Sequence, residues 1–226
     1  GSHTEEAERI AQHLVTANLV GHDSHGALRV RDYLQWLRAG MVIPNQQLAT
    51  VIETVCILVA DGQRGYGQAI GVRAVQRGVD LCRRSGVAVV ALRNTAHLGR
   101  IGHWAEMAAA EQVVSIHFVS TSGFGLLVAP FGGVDRRLSA NPLTIGFPRA
   151  DASPLILDMS TCAIAEGKIK VARNAGTPVP PGCLVDADGE PTTDPERFYA
   201  DPPGSILPAV RFAPAARRMA RGSTPK

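Results

Sequence analysis

What most constrains this chain is the alternation of short apolar runs with longer amphipathic segments. Val55-Cys56-Ile57-Leu58-Val59-Ala60, closed by Asp61-Gly62, reads as a buried strand, residues 67–84 as a helix, and the β-branched run over 86–92 as a second strand. A helix over about 99–112, a strand over 113–119, a short strand at Leu155-Ile156-Leu157 and a helix over about 161–173 continue the pattern. Ahead of these, residues 4–19 set Ala7, Ile10, Ala11, Leu14 and Val15 at the spacing of one helical face. Asp23 and Ser24 offer N-cap oxygens to a second helix that runs to about Ala39 and stops at Gly40. Strand and helix in alternation predict an α/β fold. From Gly176 onward the chain is rich in Pro, Gly and Asp, which reads as a long loop with turns and no new core.

The chain has 226 residues, 45% of them hydrophobic, enough to bury a core of one domain or two small ones. No apolar run approaches the roughly 20 residues a membrane span requires, and no signal-peptide pattern opens the chain, so a soluble cytoplasmic protein without a membrane partner is expected. Gly1-Ser2-His3 reads as an expression-tag remnant and is set apart from the fold. Cys56, Cys82, Cys162 and Cys183 lie far apart without a CxxC pair, which reads as buried or incidental thiols. The net charge of +3 comes from the end: residues 209–226 hold Arg211, Arg217, Arg218, Arg221 and Lys226 and no acid, and without them 18 basic face 20 acidic residues. The basicity therefore implies no nucleic-acid partner. That tail is expected to be poorly ordered.

Three constellations could carry chemistry. His25, Arg29 and Tyr33, each four apart, would place an imidazole, a guanidinium and a phenol on one helical stripe, a set suited to a carboxylate beside a carbonyl or hydroxyl. The alternative reading is a cap at Ser24, a locally packed His25 and a surface ion pair at Arg29. The second is Arg93-Asn94-Thr95-Ala96-His97-Leu98-Gly99-Arg100-Ile101-Gly102-His103, after a strand and running into a helix. It reads either as an anion-binding helix N-terminus or as an ordinary turn capped by Thr95. The third joins Ala129 to Gly133, Ser139 to Leu143 and Leu157 to Thr161, turn formers whose combination is more informative than each part. Gly65-Tyr66-Gly67-Gln68-Ala69-Ile70-Gly71 imitates a dinucleotide fingerprint, but its third glycine falls one place late and no acidic residue follows at the ribose distance. There is no nucleophile-elbow Gly-x-Ser-x-Gly and no HExxH pair, so neither hydrolysis nor a metal is expected.

Taken in order, Gly21-His22-Asp23-Ser24-His25-Gly26 with Arg29 and Tyr33, Asn94 to Gly102, Ala140-Asn141-Pro142, Leu157 to Thr161 and Gly167-Lys168 resemble the malate/L-lactate dehydrogenase type 2 family. The resemblance implies a non-Rossmann α/β fold, a mixed sheet with flanking helices like that of malate and L-sulfolactate dehydrogenases. It also implies a homodimer using NAD or NADP to interconvert a small 2-oxo acid, or a cyclic imino acid, and its 2-hydroxy or amino counterpart. By the same resemblance His25 donates the proton with Ser24 assisting, and His97 is the second candidate. Arg29, Tyr33 and Asn141 hold substrate. His97, Leu98, Gly99, Arg100, Ile101, Thr121, Asp158, Met159, Ser160 and Thr161 match cofactor-contacting positions.

Two departures stand out. Ala140 replaces the small hydroxyl residue that commonly precedes Asn-Pro, and the family pattern stops after Ile206-Leu207-Pro208. The expectation is a partial dehydrogenase domain over 1–208, incomplete at its C-terminus through truncation or a frameshift, followed by an unrelated basic tail over 209–226. Its alternative function is that of a catalytically silent remnant.

Overall fold

The computed structural model describes residues 1–121 and 125–209, and the chain divides into two compact units. The first comprises 1–117 with 144–158, and the second 118–143 with the residues from 159 onward.

The first unit opens with α1 (Thr4–Leu19), where the periodicity placed it, and buries Leu14 and Ala17 on the inward face. The next segment departs from expectation: a single 3-10 turn at Asp23–His25 precedes α2 (Arg29–Arg38). Gly26 interrupts them with extended backbone (ψ −150), and any β-carbon there would collide with the Asn18 side chain. That side chain, not Ser24, caps the approach to α2: Asn18 Oδ1 accepts from the Ala27 N–H at 2.8 Å, and its Nδ2 donates to Asp23 at 2.5 Å. Because His25 sits before the break, the helical stripe His25-Arg29-Tyr33 does not form. Gly40 does end the second helical segment in the left-handed region (φ 66).

Strands β1 (Ala49–Glu53), β2 (Ile57–Asp61) and β3 (Val89–Arg93) form a sheet in that order, β1 antiparallel and β3 parallel to β2. Helix α3 (Gly67–Ser85) supplies the crossover and ends at Gly86 (φ 82), a cap where the sequence reading began a strand. Leu58 and Ala60 point inward against Leu81, Val90 and Leu92, whereas Ile57 and Val89 stand exposed. β2 is thus half-buried with a period of two, and not buried throughout. Helix α4 (Gly102–Ala110) packs so closely on α3 that a β-carbon at Gly71 would meet the Trp104 ring. Strands β4 (Ser115–Phe118), β5 (Leu143–Phe147) and β6 (Leu155–Met159) make a second sheet, with Gly146 giving room for Ala105 of α4. β1 and β5 went unread in the sequence.

The second unit corrects the expectation of a coreless loop after Gly176. Helix α5 (Glu166–Ala175), strands β7 (Leu184–Val185) and β8 (Pro191–Thr192), helix α6 (Pro195–Tyr199) and strand β9 (Ser205–Ile206) pack around their own centre. Val128, Ile164, Ile169, Val179, Leu184, Phe198 and Ile206 form that cluster, and β7 lies between β8 and β9. Arg136 ties it together, donating to the carbonyls of Gly204 (2.8 Å) and Phe198 (2.5 Å) with its guanidinium 4.2 Å over the Phe198 ring. Ala209 still belongs here through its N–H on the Thr161 carbonyl; the rest of the expected disordered tail, residues 210–226, lies outside the described residues.

Candidate active site

The 3-10 turn sets Ser24 and His25 side by side, with Ser24 Oγ 2.9 Å from His25 Nδ1. Arg29, in the first turn of α2, reaches back to the Ser24 carbonyl with Nε (2.7 Å) and pairs with Asp32 through Nη1 (2.9 Å). Arg29 thus makes a local ion pair, and its Nη2 carries no bond among the described residues.

His97 comes from the loop between β3 and α4, and its ring stacks on that of His25 with centroids 5.2 Å apart and planes at 25°. The loop is fixed by backbone. Ala96 N–H donates to the Gly65 carbonyl, as does Thr95 Oγ1, and Gly67 admits the His97 carbonyl where a β-carbon would collide with it. Thr95 is therefore a tie to the neighbouring turn and not a helix cap. Tyr33 is buried, its hydroxyl 2.9 Å from His97 Nδ1 and accepting from Gln68 Nε2 at 2.7 Å. It faces His97 rather than an open surface.

Burial is the main cause of the perturbed acidities. It pulls His97 down to about 3 and His25 to about 4, with neighbouring histidines and Arg29 adding to the effect and Asp158 opposing it at His25. Burial likewise pushes the Tyr33 phenol up to about 12. Both imidazoles are neutral near pH 7, the form that accepts a proton.

The start of α4 is not an open anion cradle. Gly102 N–H donates to Asp158 Oδ2 (2.7 Å), Arg100 N–H to His13 Nε2 (3.0 Å), and the N–H groups of His103 and Trp104 to carbonyls within the turn. Asp158 Oδ1 accepts from Thr144, and with Oδ2 on the Gly102 N–H this carboxylate complements the helix dipole at the start of α4. Arg100 is buried and paired with Glu106 (2.5 Å). His13, Gln68 and Asn18 escaped the sequence reading. The only signal was polar residues set in apolar or glycine-rich surroundings.

Of the other expected positions, Thr121, Asn141, Met159, Ser160 and Thr161 belong to the second unit. There the two turn motifs meet at one atom: the Ala140 carbonyl accepts from Ser160 Oγ (3.2 Å), Thr161 Oγ1 (3.0 Å) and Thr161 N (3.0 Å). Asn141 (φ 36) receives the Ser139 hydroxyl at 2.5 Å, and Thr121 and Thr161 are exposed.

A sequence model of the malate/L-lactate dehydrogenase family matches residues 1–222. Hydroxycarboxylate dehydrogenase B of Escherichia coli is 46% identical over 207 residues, 92% of this chain and 57% of its own length. An L-lactate dehydrogenase of Cupriavidus necator is 37% identical over 203 residues, 89% of this chain and 58% of its own. The solved sulfolactate dehydrogenase of Methanocaldococcus jannaschii superposes with a TM-score of 0.83 at 36% identity, covering 91% of this chain and 58% of that one. The chain thus spans somewhat more than half the length of the proteins it matches.

Proposed function

This chain belongs to the malate/L-lactate dehydrogenase family, and from that premise we propose that it is part of an NAD(P)H-dependent oxidoreductase interconverting a 2-oxo acid, or a cyclic imino acid, and the corresponding 2-hydroxy or amino acid. The observation that carries the reading is the stacked pair of neutral imidazoles, His25 and His97, in the same unit as a guanidinium with an unengaged edge. In the oxidising direction His25 takes the proton of the substrate hydroxyl while its Nδ1 is held by Ser24. Arg29 grips the carboxylate through Nη2, and the incoming anion competes with Asp32 for the rest of the fork. That anion also raises the histidine pKa values against the lowering effect of burial, so the imidazole can carry the proton and return it in the reducing direction.

The residues fit the cofactor only in part. His97 and Leu98 are only partly buried, whereas Gly99, Arg100 and Ile101 are buried and Asp158 is occupied by Thr144 and Gly102. We assign further contacts to Thr121, Met159, Ser160 and Thr161, and substrate contact to Asn141. NAD or NADP supplies the hydride acceptor or donor. A cytoplasmic homodimer belongs to the same proposal.

The test is consumption of reduced-nicotinamide absorbance by the purified chain with a panel of 2-oxo acids and cyclic imino acids, NADH and NADPH being tried in turn. Turnover that His25→Ala or Arg29→Ala reduces at least a hundredfold, about the contribution of a positioned acid–base group, is the expected result. The alternative, a chain of this fold without catalytic activity, is favoured by the internally engaged Arg100 and Asp158. Folded protein without turnover on any substrate would establish it.

A further inference from the structure

We propose that Gln68, acting through Tyr33, fixes His97 as an Nε2–H tautomer, making His97 a hydrogen-bond donor to substrate oxygen and leaving proton exchange to His25. The part concerning substrate rests on the function proposed above; the tautomer does not.

The glycine-rich stretch that imitates a dinucleotide fingerprint has a different use here. Its Gly65 carbonyl holds the Ala96 N–H, its Gly67 gives room for the His97 carbonyl, and its Gln68, 1% exposed, delivers one amide N–H to the Tyr33 oxygen. A phenol oxygen that accepts from Gln68 keeps its own proton to donate, and the atom opposite it, at 2.9 Å, is His97 Nδ1. A neutral imidazole has one donor and one acceptor nitrogen. With Nδ1 accepting, the proton must reside on Nε2. That nitrogen has no partner among the described residues.

The consequence separates the roles of the first and second candidates for the proton. The only basic nitrogen of His97 is covered by Tyr33, whose phenol is itself hard to ionise in this buried position. His97 can present N–H to a substrate carbonyl or alkoxide, but it cannot take a proton without breaking the Tyr33 bond. His25 is under no such constraint: its Nδ1 partner is a serine hydroxyl, which donates or accepts with equal ease. Gln68 and Tyr33 are positioning residues, and neither is required to touch substrate.

The experiment is two-bond ¹H–¹⁵N NMR of the full chain labelled at histidine, with the His97 signals assigned by His97→Gln. The expected spectrum shows His97 as pure Nε2–H at neutral pH. In Gln68→Met, of similar volume but without the amide, and in Tyr33→Phe, both tautomers appear while circular dichroism stays that of the parent. An Nδ1–H tautomer in the unsubstituted chain overturns the proposal, as does a pure Nε2–H signal persisting in Gln68→Met. The unsubstituted spectrum decides the first point even where a variant fails to fold. None of these readouts depends on turnover, so a silent enzyme leaves the tautomer intact as a finding, and an active one with the other tautomer refutes it alone.

Discussion

Acid should unfold the first unit through His13. This ring, 3% exposed, accepts from the Arg100 N–H at Nε2, lies 4.5 Å from the His103 ring and 5.1 Å from Trp104, and seals an unpartnered Nδ1. Protonation would break the Arg100 bond and leave a buried cation beside His103 and Arg100, and burial holds the imidazole at about 3 against 6.5 when exposed. A folded value below the unfolded one means that stability is complete above about 6.5 and is lost as pH falls toward about 3. The limiting slope is about 1.4 kcal/mol per pH unit, so between neutral pH and about pH 4 this one residue removes about 3 kcal/mol. His13→Gln keeps an acceptor for Arg100 and removes the titration. Urea unfolding of both proteins across that range should show the parent losing about 3 kcal/mol more than the variant. Parallel stability curves would refute the assignment, since the remaining histidines titrate in both.

Two further outcomes follow from packing. Asp158→Asn should destabilise the chain by about 1 kcal/mol through loss of the charged cap on α4. Because the Asp158 carboxylate raises the pKa of His25, the same variant should lower that pKa further, which an NMR titration reads directly. Phe198→Ala should cost about 3–5 kcal/mol in a denaturant melt, since the ring is 1% exposed and lies beneath Arg136. A near-zero cost would mean that residues after Gly176 form no core.

The sequence was legible where periodicity is long. α1 and α3 bury residues on a continuous face and were placed with their bounds nearly correct. It was misread where a remote side chain decides. Nothing local to Ser24 reveals that Asn18 takes over the cap and that Gly26 breaks the helix against it. The second unit was missed because its strands are two residues long and its core residues, such as Val179, Leu184 and Phe198, stand singly among prolines, glycines and aspartates. At the candidate site, the residue types of His25, Arg29 and His97 could be read from order and spacing. The ring stack of His25 on His97, and the bond from Tyr33 to His97, arise only when α2, α3 and the loop before α4 converge. The partner of the Gly102 N–H was hidden for a similar reason, because that carboxylate comes from β6.

Two of the imidazoles owe their places to missing atoms. Gly67 leaves room for the His97 carbonyl, and Gly99 (φ 72) for the His13 ring, which a methyl group at either site would displace. A survey of tolerated substitutions would therefore rank these two positions with the histidines themselves, although a glycine donates no side chain to any ligand. Mutational intolerance in this chain marks empty volume as well as chemistry, and a map of intolerant positions read without the structure would not tell the two apart.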